Sequence, residues 1–147
     1  MLWFSHWLLD FVILMKVQFN KILDIGSEEN ERLLFTVIEA CNLGNYVIAT
    51  AKKVGENRVS SHLENIKWLD DAEVKPQDII VVYTHRKGEG VRTIQNPGGQ
   101  ASYFLFWNLE STLAGQVDYS VVCFETSWKT IDVSEEIKQT SDSNEGD

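Results

Sequence analysis

Apolar and polar side chains alternate at every second position, and this pattern constrains the fold more than any other feature of the sequence. It begins at Met15 and continues, between turns, to Val133. A period of two is typical of β-strands, whose successive side chains point to opposite faces. Residues 16–25 illustrate it, with one predicted face made of Val17, Phe19, Leu23 and Ile25 and the other of Lys16, Gln18, Asn20 and Asp24. In residues 102–109 both predicted faces are apolar, one made of Tyr103, Leu105, Trp107 and Leu109 and the other of Phe104 and Phe106. We therefore expect an all-β domain.

Turn-forming clusters divide the alternating region into about eight or nine short strands, spaced at the roughly 8–12 residues typical of all-β domains. The strongest turn signal is the tetrapeptide Asn96–Gly99. The Gly88–Gly90 segment predicts a hairpin-like connection between strands at 79–83 and 91–94. Such a series of strands favours an antiparallel immunoglobulin-like β-sandwich, with a closed barrel as the alternative.

The composition divides the chain into three parts. Residues 1–14 are an apolar N-terminal extension, residues 15–133 are the predicted β-sandwich domain, and residues 134–147 are an acidic tail. The tail has a single large apolar residue, Ile137, and cannot offset its ordering entropy by burial, so we expect it to be disordered. The whole chain has 147 residues and a formal net charge of −9. This acidity argues against a general nucleic-acid binder, which needs a basic face.

Residues 1–14 leave three interpretations open. The segment is shorter than the roughly 20 apolar residues of a membrane-spanning helix. It also has no Lys or Arg before Lys16 and no small-residue cleavage site, both of which a signal peptide needs. The first interpretation is that translation begins at Met15 and that residues 1–14 are an artefact of an upstream start. The others are that the segment is an anchor to a membrane or partner, or that it is a divergent signal peptide. We expect a cytoplasmic protein, with membrane association through residues 1–14 or export as the alternatives.

The sequence contains no recognisable set of catalytic, cofactor-binding or metal-binding residues. Its His and Cys residues lack the spacing of zinc sites, and no nucleophile elbow or phosphate-binding glycine loop occurs. Cys41 and Cys123 lie in predicted strands, where we expect buried, reduced thiols. We therefore predict a protein that is not an enzyme and needs no cofactor or metal. The alternative is an enzyme or small-ligand protein whose site forms only in space, from His62, Asp70, Asp71 and His85.

Three basic residues are the candidate partner-binding residues. Arg86, Lys87 and Arg92 flank the Gly88–Gly90 connection, where fixed positive charges favour an acidic protein or phosphates. We expect a protein partner, and nucleic acid bound at the same tip is the alternative. The aromatic stripe at residues 103–107 is interpreted as core and sheet cover, with a stacking platform for bases or sugars as its alternative.

Two stretches resemble the lamin-tail domain family. Residues 66–83 are similar to a strand, a short proline turn and a valine-rich strand, with Gln77 where that family tends to have Gly. Residues 107–122 are similar to a later turn and strand of the family, although here Val117 precedes Asp118. The dipeptide at 131–132 matches the usual end of the last strand.

The resemblance covers roughly residues 31–133 and has definite implications. It implies an immunoglobulin-like sandwich, the same fold that the alternation favours. It also implies a binding role, toward proteins or nucleic acid, with no shared catalytic residues. Because one fold serves many functions, no individual site residue follows from it.

Overall fold

A computed structural model describes residues 15–145 and shows a mostly β protein; the three interpretations of residues 1–14 lie outside this range. Its strands are β1 (Val17–Leu23), β2 (Arg32–Val37), β3 (Cys41–Asn42), β4 (Tyr46–Gly55), β5 (Arg58–Trp68), β6 (Glu73–Val74), β7 (Ile79–Tyr83), β8 (Arg92–Gln95), β9 (Ala101–Phe106) and β10 (Tyr119–Glu125). Short 3-10 turns cover Leu43–Asn45 and Leu113–Gly115, and one α-helix, α1, covers Val133–Glu145. The all-β prediction is confirmed.

Two main sheets account for most of the structure. The large sheet has the strand order β1-β2-β7-β9-β8, and the small sheet has the order β10-β4-β5. The short strands β3 and β6 form a separate pair. All described pairings are antiparallel except that of β7 with β9, which is parallel and departs from the fully antiparallel arrangement expected.

The connection after β7 is not the hairpin that Gly88–Gly90 predicts. β9 lies between β7 and β8, and it pairs with β7 from Ile79 opposite Ser102 to Tyr83 opposite Phe106. The predicted Asn96–Gly99 turn does join β8 to β9. Residues 84–91 therefore form a crossing loop, and β8 is displaced to the edge of the sheet. A local turn signal specifies a chain reversal but not which strands pair.

The core lies between the two main sheets. Alternate residues of the large-sheet strands and residues of the small sheet belong to one hydrophobic cluster, which gives a sandwich-like arrangement. Its members include Leu33, Phe35, Val37, Tyr46, Ile48, Ile80, Val82, Tyr103 and Leu105, with Val121 and Cys123 partly buried against them. Trp107 and Leu109 are also buried, so the two faces predicted for residues 102–109 are confirmed.

A bulge in β1 changes which side chains face the core. The register of β1 with β2 shifts between Phe19 and Lys21. Beyond this point Ile22, rather than Leu23, packs against the core. Alternation continued from Val17 predicts the opposite, because one extra residue in a bulged strand reverses the phase of the pattern.

Cys41 and Cys123 are unpaired thiols partly buried against the core. Burial, with a contribution from the nearby Glu125 carboxylate, raises the pKa of Cys123 to about 11.

Trp68 lies between the two cysteines in sequence, but it is half-exposed and its ring packs edge-on against another tryptophan. The tryptophan that fills the core is Trp107, whose Nε1 donates a 2.7 Å hydrogen bond to a carbonyl of β5.

A buried carboxylate joins three segments near the start of the crossing loop. Glu31 is only 1% exposed, and its Oε1 accepts hydrogen bonds from the Thr84 hydroxyl and, at 2.7 Å, the Leu113 N–H. Its Oε2 accepts the Gly26 N–H, also at 2.7 Å. The loop therefore leaves β7 from a fixed position.

Helix α1 lies where the composition predicts disorder. Its residues 133–141 are exposed, so burial does not explain the helix. The Asp132 carboxylate accepts a 2.6 Å hydrogen bond from the Ser134 hydroxyl and the N–H groups of Glu135 and Ser134 at 3.3 and 3.0 Å, and these bonds, the hydroxyl's foremost, hold the pKa of Asp132 below its ordinary value. Capping and an acidic first turn favour the helical state.

No helix within residues 15–145 is long and apolar enough to cross a membrane.

Candidate functional site

A groove of about 740 Å³ lies on the outer face of the large sheet, where β7, β9 and β8 meet the crossing loop. We call it the basic groove. Arg86, Lys87 and Arg92, the candidate partner-binding residues, all line it. Glu89 is its one acidic lining residue, so the groove carries a positive excess on a chain whose net charge is −9. The structure thus brings the three cations together, although along a crossing loop rather than at a hairpin tip.

The floor of the groove is aromatic because of the alternation in β9. Tyr103 and Leu105 enter the core, so Phe104 and Phe106 project from the opposite face. The parallel pairing sets Phe106 beside Tyr83 of β7, with ring centroids 5.9 Å apart and planes inclined by 18°. Phe104 lies 6.3 Å from the same tyrosine ring. Strand pairing therefore produces one continuous stacked surface.

Gly88 allows the loop to lie directly against this floor. A Cβ at Gly88 would come within 2.6–2.7 Å of three carbons of the Phe106 ring. Asn108 holds the glycine there, since its side chain accepts the Gly88 N–H at 3.1 Å and donates to the Gly88 carbonyl at 3.0 Å. Asn108 itself has φ +60, a left-handed conformation that Asn tolerates better than most residues.

The carbonyl of Leu109 anchors the basic part of the loop. It accepts a hydrogen bond from Lys87 Nζ at 2.6 Å and lies 2.8 Å from His85 Nδ1. The Leu109 N–H in turn donates to the Thr84 carbonyl at 2.8 Å. Because both backbone and side-chain bonds hold the loop, the Lys87 charge has a fixed position at the groove.

Arg86 and Arg92 have different environments. The guanidinium of Arg86 lies over the Tyr83 ring, 5.1 Å from its centroid, and its Nε is 3.9 Å from a Glu29 carboxylate oxygen. Stacking engages the face of a guanidinium and leaves its edge available for carboxylates. Arg92 stands opposite Phe104 in the pairing of β8 with β9. Among residues 15–145, no ion pair engages Arg92.

The alternative site built from His62, Asp70, Asp71 and His85 is not assembled in either groove that we describe. Asp70 instead forms an ion pair of 3.4 Å with Lys67. Within the described part of the chain, no group of three or more His, Cys, Asp or Glu side chains is placed to hold a metal ion. The aromatic floor was missed as a unit, although the alternation within 102–106 contains part of its signal.

A second groove, of about 550 Å³, lies on the side of the sandwich where the edge strands β1 and β10 are found. Its lining is largely apolar and includes Phe19, Ile22, Ile25, Leu113, Val117 and Val121. Lys53 is its one basic lining residue, and its Nζ donates a 3.2 Å hydrogen bond to the Val117 carbonyl. The basic groove is the stronger candidate because it combines several cations with stacked rings.

No protein-family model, curated protein or solved structure significantly matches this chain.

Proposed function

We propose that this protein is a non-catalytic binding module whose basic groove binds an acidic segment of a protein partner. The observation that carries the proposal is the convergence of Arg86, Lys87 and Arg92 on a stacked aromatic floor. Guanidinium groups form strong, directional bonds with carboxylates. The loop bonds to Asn108 and Leu109 hold the site in position, which lowers the entropic cost of binding.

The charge around the groove favours a short acidic segment over a nucleic acid. Glu29 and Glu89 lie beside the cations, and the rest of the chain is acidic. A long polyanion would be repelled by these charges, whereas a peptide places only a few carboxylates near them. The apolar floor and the half-exposed Ile94 suit a segment that also carries apolar side chains.

We further propose that the domain is an immunoglobulin-like sandwich of the lamin-tail type. Two sheets packed on one core support this proposal. Gln77 also supports it: its φ is +75, the conformation that favours the Gly which the family tends to have there. A binding role is what that resemblance implies. The unbridged cysteines are in keeping with a reducing compartment, and on this basis we propose a cytoplasmic location.

Selection of short random peptides against the full chain tests the binding proposal. We expect enrichment of Asp and Glu, and binding that weakens as salt is raised. The double variant Arg86→Gln/Arg92→Gln should weaken binding of a selected peptide by about tenfold or more, measured by fluorescence anisotropy. Lys87 is left unchanged, because its hydrogen bond to the Leu109 carbonyl supports the loop.

The matched control is Arg58→Gln/Lys129→Gln, which removes the same charge from exposed positions outside both grooves. It should leave the affinity within about twofold. The proposal is wrong if no acidic peptide is enriched, or if the control weakens binding as much as the groove variant does. It is also wrong if an oligothymidine displaces the peptide and binds more tightly, since the groove would then serve nucleic acid.

A further inference from the structure

We infer that the acidic segment binds in an extended conformation, as an added β-strand on the free edge of β8. This inference rests on the proposed function and concerns how the partner is held. β8 is the last strand of the large sheet, and among the described residues it pairs only with β9. All four of its residues, Arg92–Gln95, are exposed. An edge strand of this kind presents unpaired N–H and C=O groups to an incoming chain.

β8 also lacks the irregularities that protect other edges of this molecule. Its register with β9 runs through four consecutive pairs without a shift, and the strand contains no Pro. The edge strand β1 has a bulge, and the edge strand β5 has three register shifts. β10 is a regular edge too, but it borders the apolar groove. β8 is thus the regular edge that adjoins the basic groove.

The pairing of β8 predicts the sequence pattern of the bound strand. Arg92 and Ile94 stand opposite Phe104 and Ser102, so both side chains lie on the outer face with the groove. A neighbouring strand places side chains directly beside these two, at positions two residues apart. An acidic residue suits the position beside Arg92, and an apolar residue suits that beside Ile94, which is 48% exposed. The expected pattern is acidic-x-apolar, or its reverse for the opposite strand direction.

The heptapeptide SETITES is a direct probe, because its palindromic pattern fits both strand directions. Its scrambled form SEETTIS has the same composition but no acidic and apolar residues two positions apart. In a titration of the full chain followed by NMR, we expect SETITES to bind at least about tenfold more tightly than SEETTIS.

Amide hydrogen exchange then distinguishes strand addition from simple groove binding. Saturation with SETITES should slow the exchange of alternate amides within Arg92–Gln95, because every second N–H of an edge strand points outward. The amides of Tyr119–Glu125 in β10 are the internal control, since that edge is equally regular, and they should not change. Two forms of SETITES, one N-methylated at the odd-numbered residues and the other at the even-numbered residues, test the same point. One form should bind about tenfold more weakly, because its methyl groups replace the N–H groups that face β8, and the other should bind as SETITES does.

The outcomes separate this inference from the proposed function. Strand addition is overturned if SETITES and SEETTIS bind equally, or if the β8 amides exchange at the same rate with and without peptide. In that case, sensitivity of library-selected peptides to Arg86→Gln/Arg92→Gln would still support groove binding. If the library yields no acidic peptide at all, both proposals fail.

Discussion

Gly88→Ala tests whether the crossing loop and the aromatic floor are packed as tightly as the structure indicates. The new methyl group would lie 2.6–2.7 Å from Phe106 ring carbons, a separation that ordinary side chains do not tolerate. Gly88 is not among the residues with positive φ, so the backbone accepts alanine without conformational strain. The substitution therefore acts through the Phe106 ring.

The size of the effect follows from what Phe106 loses. Overpacking a well-packed site costs about 1–3 kcal/mol, and the stacking of two rings is worth about 0.5–1.5 kcal/mol. Phe106 lies on the outer face and is able to swing toward solvent, which relieves part of the overlap. We expect the free energy of unfolding to fall by about 1 kcal/mol. Because the displaced ring enters the groove, peptide affinity should fall by about tenfold.

Urea unfolding and peptide anisotropy measure the two effects, and Gly90→Ala is the matched control. No atom lies within 4 Å of a Cβ at Gly90, but its φ of +71 makes alanine unfavourable by about 1–2 kcal/mol. The two variants should therefore lose similar stability, while Gly88→Ala alone loses affinity. The close packing of the loop on Phe106 is refuted if Gly88→Ala matches the native chain in both assays. It is also refuted if Gly90→Ala reduces affinity equally, since general loosening of the loop would then explain the loss.

Three further substitutions test other parts of the structure by urea unfolding. Glu31→Ala removes the carboxylate that accepts hydrogen bonds from the Thr84 hydroxyl, the buried Leu113 N–H and the partly buried Gly26 N–H, and should lower the free energy of unfolding by about 2–3 kcal/mol; a loss below about 1 kcal/mol would contradict the buried network. Gln77→Gly relieves a left-handed residue in a proline turn and should raise stability by about 0.5–1 kcal/mol, while a decrease would mean that φ is not positive there. The Cys123 thiol has an ordinary pKa of 9.0 and a folded value of about 11, so the unfolded state loses its proton first. Stability should therefore decline as pH rises from about 9 to 11, and Cys123→Val should decline less; equal slopes would exclude this contribution.

Local alternation was sufficient to predict the faces of β9. Tyr103 and Leu105 are buried and Phe104 and Phe106 face outward, because a strand has only two faces and the core requires one of them. The same logic failed in β1, where the bulge near Phe19 reverses the phase. A bulge is stabilised by pairing with another strand, and a single-strand pattern contains no signal for it.

The groove was predictable only in part. The basic residues Arg86, Lys87 and Arg92 are close in sequence, and their proximity in space followed from that. The stacked floor depends on β9 pairing in parallel with β7, a contact between distant segments. β8 directly follows β7 in the chain, and the turn signal at Gly88–Gly90 favours β8 rather than β9 for that position. Helix α1 was missed for a different reason, since the prediction weighed burial and left out capping by Asp132.

The alignment of β7 with β9 couples the interior of this protein to its recognition surface. A slip of one residue would send Phe104 and Phe106 inward and expel Tyr103 and Leu105 to solvent, at the cost of the central packing. The free energy of core packing therefore fixes the register of these strands. The register in turn fixes the positions of the outward-facing side chains, whichever residues stand there. Mutational drift at Arg92, Ile94 or Phe104 is therefore free to alter which ligands are preferred while the scaffold stays unchanged.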